Sequence, residues 1–235
     1  MIQKYRNQFN QNFTEEKYKK FIKALEKNYK PIPFRVAETP IFIPQELKKK
    51  LIAAGEEIIA LIKQDNFKEL TQKSIPSEWN VPNETAHPHF LTFDYGLCKD
   101  EKGDITPMLI EMQGFPSLYG FQSHLAKTYK EEFELDQNLS PYFNGLDETS
   151  YFNLLREVLI GDYQAHEVAL MDIDASNQKT AIDFLVTAKK IGIKILSLSD
   201  IKQIEKQLLY EENGNQIQLK RIYNSISAPR RVIFL

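Results

Sequence analysis

The stretch at residues 89–123, HFLTFDYGLCKDEKGDITPMLIEMQGFPSLYGFQS, decides the fold, because a strand pattern, a turn and candidate chemistry coincide in it. Residues 89–97 and 105–112 read as two strands. Between them, Lys99-Asp100-Glu101-Lys102-Gly103-Asp104 is a charged, glycine-containing connection that predicts an antiparallel hairpin. Side chains alternate faces along a strand, so Phe90, Thr92 and Asp94 fall on one side and Leu91 and Phe93 on the other. On the return strand the same rule groups Leu109, Glu111 and Gln113. A hairpin register then brings Asp94 near Glu111 and Gln113, and two carboxylates with an amide oxygen make an all-oxygen set of the kind that suits magnesium. Gly114-Phe115-Pro116 breaks the strand, and Ser117 is placed to cap a helix running to about Tyr129. The start of that helix is expected beside the carboxylates, where its free N–H groups would favour an anion. An Asp and a Glu on the solvent face of a hairpin are also commonplace, and Asp100, Glu101 and Asp104 read as turn residues only.

Asp94, the hairpin, and then Leu109-Ile110-Glu111-Met112-Gln113-Gly114-Phe115-Pro116-Ser117-Leu118 together resemble the magnesium hairpin of circularly permuted ATP-grasp ligases of the glutathionylspermidine synthase type. In that family an Asp precedes a hairpin and a Glu-x-Asn, with a Pro-Thr/Ser-Leu-like segment after it. The resemblance implies that Asp94, Glu111 and Gln113 occupy metal-ligand positions, Gln113 standing where the family has Asn and reaching one methylene further. It also implies ATP-dependent joining of a carboxylate to an amine, with a small-molecule amine or carboxylate as substrate. The likeness covers most of residues 91–224 in element order, and the hairpin is its specific motif. In the family about half of the enzyme follows this region, including the lysines and lid that hold adenine and the phosphates. The 235 residues contain no Gly-x-x-x-x-Gly-Lys run, so the expectation is a truncated relative that takes ATP, and acts, only when the missing half is supplied. Two alternatives stand beside it. One is a non-catalytic binding or interaction module, and the other a magnesium-dependent nuclease of the restriction type.

Upstream of the hairpin the pattern is helical. Residues 1–13 show no clear period and stay unassigned, whereas Tyr18, Phe21, Ile22 and Leu25 predict an amphipathic helix from a Thr14 cap to about Asn28. Its lysines, Lys17, Lys19, Lys20, Lys23 and Lys27, read as a solvated face. Pro31, Pro33, Pro40 and Pro44 impose an extended stretch, and a long helix begins near Pro44 with Leu47, Leu51, Ile52, Ile58, Ile59 and Ile62 as its stripe. Gly55 lies close to that stripe, where a missing side chain permits close packing. A short helix over 66–73 follows. Residues 77–88 form a loop holding Trp79 and His87, with His89 just after it. The two histidines invite a metal reading or, more simply, orient the loop. His124 is expected to pack or hydrogen-bond on the helix after the hairpin.

Downstream, 131–146 reads as a connection between lobes, and Asp147 caps a helix ended by Gly161. Val168-Ala169-Leu170-Met171-Asp172-Ile173, a helix carrying Ala181, Ile182, Leu185 and Val186, Gly192, and Ile193-Lys194-Ile195-Leu196 then predict a βαβ unit with parallel strands. Asp-Ala-Ser-Asn follows the first strand instead of a glycine-rich loop, which argues against a dinucleotide site. Asp200 and Gln203 look like the start of a further helix. Asn213-Gly214 marks a hairpin between 208–211 and 216–219, and 221–224 extends as a strand.

The fold class expected is thus α/β: a helical N-terminal region with the antiparallel hairpin lobe over 1–146, then a Rossmann-like βαβ lobe over 147–235. A net charge of −2 gives no footprint for non-specific nucleic-acid binding. The single Cys98 allows no internal disulfide or multi-cysteine zinc site, and the N-terminal residues carry no apolar signal core. A cytoplasmic protein with no membrane partner is expected. The sequence does not specify an oligomeric state.

Overall fold

A computed structural model of the chain describes residues 1–77, 87–114 and 118–224. It is a mixed α/β structure in two compact units, each discontinuous in sequence. One unit comprises Met1–Arg6 and Ile41–Phe115, the other Asn7–Pro40 and Pro116–Leu235. Residue 146, where the sequence suggested a break, lies inside the second unit, and the helices on either side of it both pack on the helix at Ala181–Ile191.

In the first unit, helix α3 (Gln45–Ile62) and the short α4 (Phe67–Gln72) accompany a two-stranded antiparallel ribbon, β1 (Thr92–Lys99) and β2 (Ile105–Gln113). Pro44 sits at the N-cap of α3, as its fixed φ allows. Of the expected α3 stripe only Leu47 is fully buried, and Ile52 lies on the exposed side. Gly55 is buried, but a Cβ added there would meet Phe93 and Tyr95 at 3.7 Å, an ordinary contact. Close approach does not require that glycine. The N-terminal residues join this unit through the Ile2 N–H, which donates to the Phe42 carbonyl at 2.8 Å, and through a Tyr5–Phe42 ring contact.

The second unit holds α2 (Glu15–Glu26), α5 (Tyr119–Glu132), α6 (Glu148–Ile160) and α7 (Ala181–Ile191) around two sheets. The stretch left unassigned at the N-terminus is helix α1 (Gln3–Asn12), whose Phe9 is buried in an aromatic cluster with Phe13 and Phe133. Its apolar residues are too few and too spaced for periodicity to show, and tertiary contacts make the helix. Thr14 caps α2, its hydroxyl accepting the Lys17 N–H at 3.1 Å. Asp147 and Ser150 form a reciprocal cap on α6, and Gly161 ends it at φ +59°.

The predicted βαβ unit is present. Strand β3 (Val168–Asp172) pairs in parallel with β4 (Lys194–Ser197) across α7, and β8 (Arg221–Asn224) joins the other edge of β3, giving the order β4-β3-β8. Val168, Ala169, Leu170 and Met171 are all essentially inaccessible, the pattern of a strand covered on both faces. Between β4 and β8 the chain makes a second sheet, β5 (Lys202–Ile204), β6 (Gln207–Glu212) and β7 (Asn215–Leu219). Asn213 and Gly214, both with positive φ, form the two-residue turn that the sequence announces between β6 and β7. The helix expected from Asp200 is absent. Asp200 instead closes a one-turn 3-10 segment by accepting the Ser197 N–H at 2.8 Å, and residues 202–204 pair with β6. Cross-strand pairing with Leu208 and Leu209 outweighs a capping pattern that has no apolar helical face behind it. Tyr210 and Leu219 pack with Ala169 and Leu196, so the two sheets share a core.

No helix among the described residues is long and apolar enough to cross a membrane.

Candidate functional site

The ribbon places the predicted residues in a definite register. Asp94 pairs directly with Glu111, and Thr92 with Gln113. Directly opposed residues of an antiparallel pair project to the same face, so the two carboxylates and the Gln113 amide lie on one surface, with Thr92 beside them. Asp94 and Glu111 are exposed, and the Gln113 Nε2 donates to Glu111 Oε1 at 2.5 Å.

One part of the expected face is wrong. The register shifts between Asp94 and Tyr95, so that Tyr95 pairs with Leu109 and Ile110 is left as the extra residue of a bulge. Leu109 therefore falls on the face opposite Glu111. That opposite face, with Phe93 and Tyr95 stacked at 6.2 Å, is the one that lies against Gly55 of α3. Alternation along β1 thus puts Asp94 on the face away from Gly55 while Phe93 and Tyr95 meet the helix, and the bulge brings Leu109 to the aromatic face. Burial raises the pKa of the Tyr95 hydroxyl, with Glu57 adding to the effect, and that hydroxyl has no hydrogen-bond partner among the described residues.

The oxygen donor set fits a hard cation: two exposed carboxylates and an amide would leave room for several retained waters, which magnesium prefers. Among the described residues no three of His, Cys, Asp and Glu gather closely enough to hold a metal, so any such site depends on Gln113 and water as well as on the two acids. His87 and His89 are exposed at the entrance to β1 and enter no such group. Asp100 accepts the N–H groups of Lys102 and Asp104, a turn role as expected.

Ser117, the expected cap of α5, lies outside the described residues together with Phe115 and Pro116. Leu118 occupies the N-cap with a left-handed φ of 61° and no side-chain hydrogen bond. The N–H groups that would favour an external anion face an acid of their own unit: Asp183 of α7 accepts the Phe121 N–H at 2.9 Å, and the Gly120 and Leu118 backbones act on the same carboxyl to lower its pKa. The sequence reading missed Asp183. Its only signal was an acidic residue in the middle of the apolar run Ala181-Ile182-Asp183-Phe184-Leu185-Val186.

His124 is half-buried, its Nε2 on the Leu25 carbonyl at 2.9 Å and its ring edge-on to Tyr29. Burial lowers its pKa. It packs and hydrogen-bonds, in line with expectation, with Lys190, Lys127 and Glu131 as nearby charges. Tyr129 hydrogen-bonds the Ala37 carbonyl, and burial pushes its pKa up to about 12.

No family model matches the chain, and no curated protein matches it. The functional reading therefore rests on the site itself.

Proposed function

We propose that the open face of the β1–β2 ribbon is a magnesium-binding element of an ATP-dependent carboxylate-amine ligase of the ATP-grasp kind. The observation that supports this reading is the direct pairing of Asp94 with Glu111, with Gln113 on the same face. Asp94, Glu111 and Gln113 would hold the ion, which supplies charge neutralisation to nucleotide phosphates when bound. In this role the side chains position and offset charge, and none removes a proton from substrate. The 235 residues contain no glycine-lysine phosphate loop, so the groups that hold the nucleotide belong to another polypeptide segment. By themselves these residues bind magnesium loosely and do not ligate.

Titration of the chain with Mg²⁺ or paramagnetic Mn²⁺, followed by NMR, tests the site. Broadening centred on Asp94, Glu111 and Gln113 is expected, and Asp94→Asn or Glu111→Gln should weaken it by about tenfold or more, a loss of roughly 1.4 kcal/mol. Broadening elsewhere, or none, removes the metal reading and leaves the binding module. Calorimetry with magnesium-ATP and phosphate release over a panel of amines and carboxylates tests the reaction. Turnover that appears only with an added polypeptide bearing the phosphate-binding groups supports the ligase. Tight nucleotide binding by the 235 residues alone contradicts the division of labour proposed here.

A further inference from the structure

Helix α7 is buried along most of its length: Ile182, Phe184, Val186, Thr187 and Ile191 are all in the core, and so is Asp183, only 4% exposed. The Phe121 N–H that Asp183 accepts, like the Gly120 and Leu118 N–H groups that also act on the carboxyl, belongs to the first turn of α5 and its cap, where the helix itself offers no acceptor. Leu118 has no side-chain oxygen to do so. Helix α7 thus lends α5 the acceptor that its own cap residue lacks. At the same point the helices come very close. A Cβ on Gly120 would collide with the Thr187 side chain and lie 3.0 Å from the Thr187 backbone nitrogen. Thr187 stands one turn beyond Asp183, on the same face of α7.

Tyr151 of α6 and Tyr223 of β8 are near this carboxyl, and Tyr119 of α5 is near both. Tyr151 donates to the Tyr119 carbonyl at 2.9 Å. Burial raises the pKa of Tyr151 and of Tyr223, so neither brings a charge to the carboxyl. Among the described residues no lysine, arginine or histidine acts on Asp183. A carboxylate here gives up its hydration and receives amide dipoles but no opposite charge. Burial therefore raises the Asp183 pKa above the ordinary carboxylate range, with the Phe121, Gly120 and Leu118 backbones opposing it. The sign follows by linkage: a group whose closed-state pKa is raised is favoured in its protonated form while buried, and its ionised form gains from any opening that admits water.

We propose that Asp183 is a proton-linked latch between α7 and the start of α5, closed by the neutral carboxyl group and biased toward opening as that group ionises. The latch acts on the first turn of α5 and stands independently of the metal reading.

NMR of the whole chain tests it. The Asp183 side-chain carboxyl ¹³C resonance reports its ionisation, and hydrogen exchange of the Leu118, Gly120 and Phe121 amides, normalised to that of Tyr129, reports the latch. Relative protection of the three amides is expected to fall as pH rises through the Asp183 titration, by about tenfold for each unit by which the closed-state pKa exceeds the open-state one. Asp183→Asn, a neutral isostere, should hold them protected across the same range. Protection that is flat or increases as Asp183 ionises, or an identical fall in Asp183→Asn, overturns the latch. If Asp183→Asn does not fold, the wild-type carbon and amide titrations decide alone.

Discussion

Strands β2 and β3 carry similar apolar runs, Met108-Leu109-Ile110 in one and Val168-Ala169-Leu170-Met171 in the other, yet they meet opposite fates. Leu170 is inaccessible to solvent while Ile110 is 72% exposed. The difference lies in neighbours. Strand β3 has a parallel partner on each edge, whereas among the described residues β2 has only β1 paired beside it, with α3 packed against the ribbon. An apolar run tells that a strand is apt to be buried, but the number of strands and helices around it determines whether it is. The consequence reaches the chemistry. On the ribbon two acids stand side by side in water at little cost. In the packed unit a single acid, Asp183, is buried and takes the Phe121 N–H in place of solvent.

Truncation gives the sharpest break in this comparison. Leu170→Ala should cost about 3 kcal/mol, within the 2–5 kcal/mol common for buried leucines, while Ile110→Ala should change stability by less than about 0.5 kcal/mol. Urea denaturation of both variants checks it. A large cost at Ile110 would mean that the ribbon is covered in solution by something not present in the structure.

The glycines sharpen it further. Gly120→Ala drives a methyl group into Thr187 and its backbone, and should destabilise by about 1–3 kcal/mol. Gly55→Ala meets only ordinary contacts within a helix, so it should stabilise by roughly 0.5–1 kcal/mol. Thermal unfolding of the pair reads opposite signs from the same chemical change.

The smallest expected effect is at His124. Its pKa is lowered by burial, so the neutral ring favours the folded state above its unfolded pKa, about 6.5, and that contribution is lost as pH falls through the folded pKa. Stability measured from neutral pH downward should decline less steeply in His124→Gln than in wild type.

Much of the secondary structure was legible because its signals are local. Thr14, Asp147, Gly161, Gly192 and Asn213-Gly214 each act within a few residues of where they stand, and the structure uses every one of them as a cap, stop or turn. Asp200 misled because its capping pattern was equally local while the decisive interaction, pairing of 202–204 with β6, was not. Helix α1 escaped notice for the converse reason: Phe9 is anchored by Phe133, more than a hundred residues away.

The candidate site divides along the same line. Alternation in β1 and β2 sufficed to put Asp94, Glu111 and Gln113 on one face, since period two and a hairpin turn leave few registers. The bulge that moves Leu109 across the ribbon, the partition of the chain into two discontinuous units, and the burial of Asp183 over the start of α5 were decided only by tertiary structure. Each depends on contacts between residues distant in sequence, whose pairing no local propensity encodes: a helix cap normally comes from the residue before the helix, and here it comes from another helix more than sixty residues later.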